Sequence, residues 1–161
     1  MKTTALRWAI PKDMHGVRNL IQELADFERA SDAVVITVTD LQEHAFGSSP
    51  KFKCIVAEKE NEIIGMALFY PRYSTWTGPT FHLEDLIVTK KERGKGVGKV
   101  LYTAFIEYAE SQNVRRVEWV VLDWNTHAID FYKGSGAKIL EDWRTVQMDS
   151  TAMRHYLEKE K

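Results

Sequence analysis

The chain has 161 residues, 44% of them apolar, and its 23 acidic residues nearly balance its 22 basic ones. This size predicts a single domain over residues 1–161 with a core of its own, and the charge balance argues against a general nucleic-acid binder, which carries a basic excess. The lone Cys54 excludes an internal disulfide framework, and with neither a signal-peptide-like segment at residues 1–8 nor a bilayer-long apolar run, we expect a cytoplasmic protein without a membrane partner.

The first part of the chain predicts a short strand followed by two helices. A strand over residues 4–10 precedes a helix that Asp13 is expected to cap. The apolar residues of this helix recur at helical spacing: Val17, Leu20, Ile21, Leu24 and Phe27. A shorter helix begins after Thr39, which has capping-box spacing to Gln42, and Gly47 ends it.

Strand signals dominate the middle of the chain. Residues 53–58 and 63–70 are rich in β-branched and aromatic side chains, and Asn61 between them suits a hairpin turn. Residues 71–79 are predicted to form a loop, and residues 80–88 a further strand. Together these elements predict a sheet with strands close in sequence.

The last part of the chain alternates helices and strands. The clearest helix covers residues 97–112, and Asn113 after it suits a left-handed ending. Three more strands are expected over residues 117–122, 137–141 and 144–148. Asn125 is expected to cap a short helix, and a polar helix closes the chain. This order predicts a mixed α/β fold built on one sheet.

A glycine-rich turn follows the strand over residues 80–88 and opens the clearest helix. Gly94, Gly96 and Gly98 allow close approach to free backbone N–H groups, and the helix dipole favours an anion there. Basic side chains surround them: Lys90, Lys91, Arg93, Lys95 and Lys99. The spacing is neither that of a P-loop nor that of a Rossmann turn. By itself it is equally typical of a tight turn with a solvated basic rim.

The spacing Arg93-x-x-Gly96-x-Gly98 resembles motif A of the GNAT superfamily of acetyl-CoA-dependent N-acetyltransferases. The segment Asn125-x-x-Ala128-x-x-Phe131-Tyr132-x-x-x-Gly136-Ala137 resembles a second motif of that superfamily, in the expected order. The diamine (spermidine/spermine) N-acetyltransferase branch has further similar segments: Glu23-Leu24-Ala25, Asp40-Leu41, Phe46-Gly47, Val56-Ala57-Glu58, Leu83-Glu84-Asp85, Trp124-Asn125 and Phe131-Tyr132-Lys133. The resemblance implies the acyl-CoA N-acyltransferase fold, with a mostly antiparallel twisted sheet flanked by helices.

The resemblance also implies acetyl-CoA as co-substrate and direct acetyl transfer. The five histidines show no metal-ligand spacing, so no metal is expected. The implied cofactor-binding residues are Leu86, Ile87, Val88, Arg93, Gly94, Lys95, Gly96, Val97, Gly98, Lys99 and Asn125, with the Leu86 N–H polarising the thioester. Glu84 is the implied base, acting through ordered water, and Tyr132 the implied acid. From the residues alone, Glu84 also fits an outward strand carboxylate, Tyr132 a core aromatic and Asn125 a helix cap.

The expected substrate is a small cationic amine, because carboxylates and aromatic faces attract an ammonium group. The candidate residues are Phe27, Glu28, Tyr73, Trp76, Glu84 and Asp85. Asp85 joins Glu84 on one face only if a β-bulge interrupts the strand. Phe27, residues 30–33 and Ser74 are less polar or less acidic than their counterparts in the diamine enzymes, which favours a substrate with fewer distant charges than spermine, such as a short diamine or thialysine.

Two other functions are consistent with the sequence. One is acetylation of a protein N-terminus or lysine, and the other is a non-catalytic acyl-CoA-binding module, which the presence of both Glu84 and Tyr132 disfavours. The branch resemblance further implies a homodimer with C-terminal strands at its interface.

Overall fold

The computed structural model describes residues 4–160, so residues 1–3 and 161, at the two ends of the predicted domain, lie outside the described residues. Contacts divide the chain into two compact units, with the boundary between Val120 and Val121. Within the described range, no helix combines the length and the apolar character that crossing a bilayer would require.

The first unit contains a five-stranded sheet. Its strands are β1 (Ala5–Trp8), β2 (Lys53–Lys59), β3 (Glu62–Ser74), β4 (Gly78–Val88) and β5 (Val117–Glu118), in spatial order β1-β2-β3-β4-β5. The first four are antiparallel neighbours, and β5 pairs with β4 in parallel. The predicted mixed α/β fold with a mostly antiparallel sheet is therefore confirmed.

Helices cover both faces of this sheet. They are α1 (Met14–Phe27), α2 (Val38–Phe46) and α3 (Val97–Ser111), with single 3-10 turns at Pro11–Asp13, Ser31–Ala33 and Lys90–Glu92. Helices α1 and α2 pack on the face that presents Cys54, Val56, Met66 and Leu68. Helix α3 packs on the other face, where the Phe105 and Phe69 ring centroids are 4.9 Å apart. Cys54 is buried as a small apolar residue, and its burial raises the pKa of the thiol.

Two predicted helix caps were wrong. The shorter helix begins two residues earlier than expected, because Thr37 and not Thr39 is its cap: the Thr37 hydroxyl accepts the Asp40 N–H, and the Asp40 carboxylate accepts the Thr37 N–H in return. Asp13 precedes α1 but makes no side-chain cap for it. Its buried carboxylate accepts the Ile10 N–H and pairs with Arg7, which holds its pKa below the usual value.

The predicted loop over residues 71–79 was also wrong. β3 and β4 continue through it as a long hairpin whose pairing reaches Ser74 and Gly78, so only three residues turn. The hairpin between β2 and β3 turns as expected, with Glu60 and Asn61 both in the left-handed region that two-residue hairpin loops require. Asn113 after α3 is left-handed as predicted.

The second unit contains α4 (Thr126–Gly134) and α5 (Ser150–Lys159). The strands predicted over residues 137–141 and 144–148 are absent from it, and the one predicted over residues 117–122 shrinks to the two residues of β5. Between the two helices the chain is irregular, with a turn in which the Trp143 N–H donates to the Leu140 carbonyl, and it exposes a series of large apolar side chains: Leu140, Trp143, Val146 and Met148. A strand needs a neighbouring strand for its backbone groups, and the described part of this unit contains no strand.

Candidate active site

A β-bulge near the end of β4 gathers carboxylates on one face of the sheet. Leu68 of β3 pairs with Asp85, and the next residue, Phe69, pairs with Leu83, so Glu84 is an extra residue on β4. Directly paired residues share a face, which puts Asp85 on the face of Leu68, covered by α1. Glu84 reaches the same face, since it contacts Tyr70, two residues from Leu68. The bulge therefore brings Asp85 and Glu84 to the same face of the sheet, which the sequence alone left open.

Two neighbouring side chains fix the Glu84 carboxylate. The Tyr70 hydroxyl donates a hydrogen bond to Glu84 Oε2 at 2.8 Å, and His82 Nε2 lies 3.7 Å from the same oxygen. The Tyr70 and His82 rings stack at 5.2 Å, so each limits the movement of the other. Glu84 remains half exposed, with 52% of its side chain accessible, so water reaches it. A carboxylate that is held in place and still wet is suited to accepting a proton through water.

Asp85 is in a different environment from its neighbour. Burial, together with the negative charges of Glu84 and Glu28, raises its pKa to about 7. Burial also raises the pKa of Glu28, which follows the last residue of α1. Within residues 4–160, no lysine or arginine forms an ion pair with any of these three carboxylates. Among the described residues, these carboxyl groups therefore have no lysine or arginine partner, which favours a cationic ligand.

The glycine turn has the features of an anion site. Gly96 is the residue before α3 and has φ of 83°, in the left-handed region, and no side chain caps the helix. Gly94 also has a positive φ, of 75°. The first N–H groups of a helix have no partner within it, so those after Gly96 remain available to phosphate oxygens. The residues present therefore fit the pyrophosphate of acetyl-CoA.

One edge of β4 next to this turn is open. β5 pairs with β4 only at Phe81 and His82, so among the described strands the stretch from Leu83 to Val88 has a partner on the β3 side alone. Leu86, Ile87 and Val88, which the resemblance assigns to the cofactor, lie on this stretch. An extended ligand can pair with such an edge as a strand would.

The Arg93 guanidinium, expected at the phosphate, points to protein groups. Its Nε donates to the Val88 carbonyl at 2.8 Å, its Nη2 lies 3.2 Å from Glu23 Oε1, and its centre lies 5.5 Å from the Phe27 ring. Lys95 likewise donates to the Lys91 carbonyl. Arg93 thus links the end of β4 to the C-terminal part of α1.

The second unit holds the remaining candidates on α4. Asn125 precedes this helix and its Oδ1 accepts the Ala128 N–H at 3.3 Å, so the capping interpretation is confirmed. Tyr132 is buried, with its ring edge-on to Phe131 at 5.4 Å. Its carbonyl accepts hydrogen bonds from the Ser135 hydroxyl and the Ala137 N–H, which hold the end of the helix.

Two aromatic candidates stand apart from the carboxylates. Trp76 is at the tip of the β3–β4 hairpin, and Tyr73 is one residue before the end of β3; both are largely exposed. The strand runs four residues from Tyr70 to Ser74, about 13 Å. The described part of this chain therefore does not bring Trp76 to the carboxylate cluster.

Sequence reasoning missed two residues that the structure places at the site, Tyr70 and Glu23, and it expected His82 near the site without giving it a contact there. Tyr70 is at the end of a predicted strand and carries no motif, so only the cross-strand register reveals its contact with Glu84. The Nδ1 atom of His82 is buried with no hydrogen-bond partner among the described residues. Glu23 belongs to a segment that resembles the diamine branch, but its role depends on a contact more than sixty residues away.

Comparison with known proteins gives a consistent result. The model of the acetyltransferase (GNAT) family matches residues 17–137. The chain is 35% identical to a thialysine N-epsilon-acetyltransferase of Sus scrofa, covering 96% of this chain and 97% of that protein. It is 28% identical to an L-ornithine N5-acetyltransferase of Arabidopsis thaliana, covering 92% and 86%. Among solved structures, an integron cassette protein from the mobile metagenome of V. cholerae has a TM-score of 0.79 at 19% identity, covering 98% and 99%, which shows a shared fold.

Proposed function

The chain belongs to the acetyltransferase (GNAT) family, and on that premise we propose that it transfers an acetyl group from acetyl-CoA to a primary amine of a small cationic substrate. The carboxylate cluster of Glu28, Glu84 and Asp85, unbalanced by any described lysine or arginine, carries the proposal. An ammonium group entering there would stabilise the ionised form of Asp85 and relieve the cost of burying its charge.

Among such amines we propose a lysine-like amino acid or a short diamine, with thialysine as the first candidate. The similarity to enzymes that act on thialysine and on L-ornithine supports this choice. So does the small number of carboxylates, because one cluster of three serves a single ammonium group and leaves little to attract a distant second or third charge.

The proposed mechanism divides proton handling between two residues. Acetyl-CoA supplies the acetyl group as a thioester. Glu84 receives, through water, the proton that the substrate ammonium must lose, since an aliphatic amine with a pKa of roughly 10.4 is protonated at neutral pH. Tyr70 keeps the Glu84 carboxylate oriented by donating to Oε2. The phenol of Tyr132 donates the proton that the leaving thiolate needs, and the Leu86 N–H polarises the carbonyl.

The proposal also includes a homodimeric assembly and a cytoplasmic location. The exposed apolar series from Leu140 to Met148 supports a homodimer in which a second copy covers it. The single buried cysteine supports a cytoplasmic location, which fractionation of cells expressing the tagged protein would test.

An amine panel tests the activity. The protein is incubated with acetyl-CoA and, separately, thialysine, L-ornithine, L-lysine, putrescine, spermidine, spermine and an N-terminal peptide, while free thiol is followed. We expect the highest kcat/KM for a lysine-like amine or short diamine. The highest kcat/KM with spermine would contradict the proposal of a substrate with fewer distant charges. The highest kcat/KM with the peptide would favour a protein acetyltransferase. No turnover despite CoA binding would favour a non-catalytic binding module.

A further inference from the structure

The Glu23 carboxylate, on α1, collects three hydrogen-bond donors from the segment between β4 and α3. The Thr89 hydroxyl donates to Oε2 at 2.8 Å, the Lys90 backbone N–H donates to Oε1 at 2.7 Å, and Arg93 Nη2 lies 3.2 Å from Oε1. One of these donors is a backbone group, so the carboxylate fixes the course of the main chain and not only the side chains. This segment leads directly into the glycine turn.

The segment is attached to the rest of the first unit at two points. Its short turn, in which the Glu92 N–H donates to the Thr89 carbonyl, is tied to β2 by the ion pair of Glu92 with Lys59, and Glu23 is the residue that ties the segment to α1. The two glycines with positive φ, Gly94 and Gly96, have more conformational freedom than other residues. N–H groups that must converge on a phosphate lose affinity when their orientations are not fixed in advance.

The same contacts extend to the amine side of the site. Glu23 and Phe27 are four residues apart and therefore on one face of α1. Arg93 contacts both, with its guanidinium 5.5 Å from the Phe27 ring, and Glu28 follows directly. Arg93 also donates to the Val88 carbonyl, which is the last residue of the strand that carries Glu84 and Asp85. The end of α1, the end of β4 and the glycine turn thus meet at a single ion pair.

We propose that Glu23 is a positioning residue that holds the cofactor turn against α1, so that binding of CoA and binding of the amine are thermodynamically coupled. The coupling rests on the proposed function, whereas the positioning of the turn does not. Glu23 touches neither substrate; it acts through Lys90, Thr89 and Arg93. Ligands that each order a shared element bind with positive cooperativity, typically by about 5- to 150-fold.

The first test measures CoA affinity calorimetrically for the wild-type protein, Glu23→Gln and Glu58→Gln. Glu58 is a matched control, because it also forms a partly buried ion pair, with Arg7, but on β2 and outside the turn. We expect Glu23→Gln to raise the Kd for CoA by at least about fivefold, and Glu58→Gln to leave it unchanged although both lower the melting temperature. An unchanged Kd in folded Glu23→Gln would overturn the proposal.

Thr89→Val provides the same test with less risk to folding. It removes one donor to Glu23 and keeps the Thr89 N–H, which bonds to the Ile64 carbonyl. We expect a smaller rise in the Kd for CoA than with Glu23→Gln. If Glu23→Gln does not fold and Thr89→Val binds CoA as the wild type does, the positioning role is rejected.

The second test measures the coupling with thialysine as probe. The Kd for CoA is determined with and without saturating thialysine in wild type and in Glu23→Gln. We expect thialysine to lower the Kd in wild type and to lower it less in the variant. No effect in wild type, or an equal effect in both proteins, would overturn the coupling. Failure of every amine to be acetylated would instead count against the proposed function, and the CoA measurement would still decide the role of Glu23.

Discussion

The carboxyl group of Asp85 combines burial with two like charges, and these raise its pKa to about 7. The folded protein therefore holds this proton more tightly than the unfolded chain, in which an aspartate has a pKa of about 3.9. Stability that derives from the bound proton is present at low pH and is lost as the pH rises through about 7. Above about pH 7, the ionised Asp85 carboxylate therefore lowers the free energy of unfolding.

Asp85→Asn should therefore gain stability relative to wild type as the pH rises. Between about pH 4.5 and pH 8.5 we expect the difference in free energy of unfolding to shift by roughly 3 kcal/mol in favour of the variant, as measured by urea denaturation. Asp142→Asn, at an exposed position, is the control and should show no such shift. If the difference in free energy of unfolding between Asp85→Asn and wild type did not depend on pH, the pKa of Asp85 would be the same in the folded and unfolded protein.

Tyr132→Phe tests the acid at the same scale. The variant keeps the buried ring and its packing on Phe131 but removes the hydroxyl. We expect kcat to fall by about 10²- to 10⁴-fold, the usual contribution of a positioned proton donor, with little change in the Kd for CoA. Steady-state kinetics with calorimetry measure both quantities, and a wild-type kcat would remove Tyr132 from the acid role.

The residues of the site differ in how far the sequence predicts them. Glu84 and Asp85 are visible as adjacent acids on a strand, but whether they share a face depends on a bulge, which no local pattern encodes. Tyr70 and His82 are ordinary strand aromatics in the sequence, and their contact with Glu84 arises only from cross-strand register. Glu23 likewise requires knowledge of what α1 packs against.

Among the elements, the turn before α3 depends on the backbone conformation of Gly96. A Cβ atom there would meet nothing within 4 Å, but the φ of 83° is one that a β-branched residue rarely adopts. Gly96→Val should therefore distort the turn and raise the Kd for CoA by at least about tenfold, since the N–H groups lose their alignment. Gly78→Val is a matched control, because Gly78 has a φ of 88° and equally open surroundings at the hairpin tip. Equal CoA binding by wild type and folded Gly96→Val would contradict the assignment of the phosphate turn.

The sequence predicts helices, strands and turns correctly where the local pattern is strong. It fails where the same pattern fits two positions or two structures. Helix α3 and the Glu60–Asn61 turn have clear periodicity or turn chemistry. Thr37 and Thr39 are both plausible caps, and the choice between them is made by the reciprocal bonds of Thr37 with Asp40. The prediction of a loop over residues 71–79 was wrong, because β pairing continues through both Pro71 and Pro79. Over these residues, cross-strand pairing determines the structure more than the strand propensity of the individual residues does.

For the molecule as a whole, the order of the motifs along the chain predicted the family, because a glycine turn after one strand and an Asn–Tyr helix further on occur together far less often than either does alone. The fold followed from that order and is confirmed by the sheet. The substrate did not follow as directly, since the carboxylates that we propose for its binding come from the end of α1 and from β4, which are far apart in sequence.

The assembly is the remaining property of the whole molecule. Residues 137–148 have strand-like composition but form no strand, and they expose Trp143 and Val146, the latter at 91%. A second copy would give their backbone groups partners and cover their apolar surface, so we expect the protein to elute at twice the chain mass of 18.6 kDa in size-exclusion chromatography with light scattering. Val146→Asp should shift the protein to monomer, because a buried unpaired carboxylate would oppose association. Val35→Asp, at a position that is 88% exposed in the first unit, should leave the dimer intact. A monomeric wild type at every concentration, or dissociation by both variants alike, would rule out this segment as the interface.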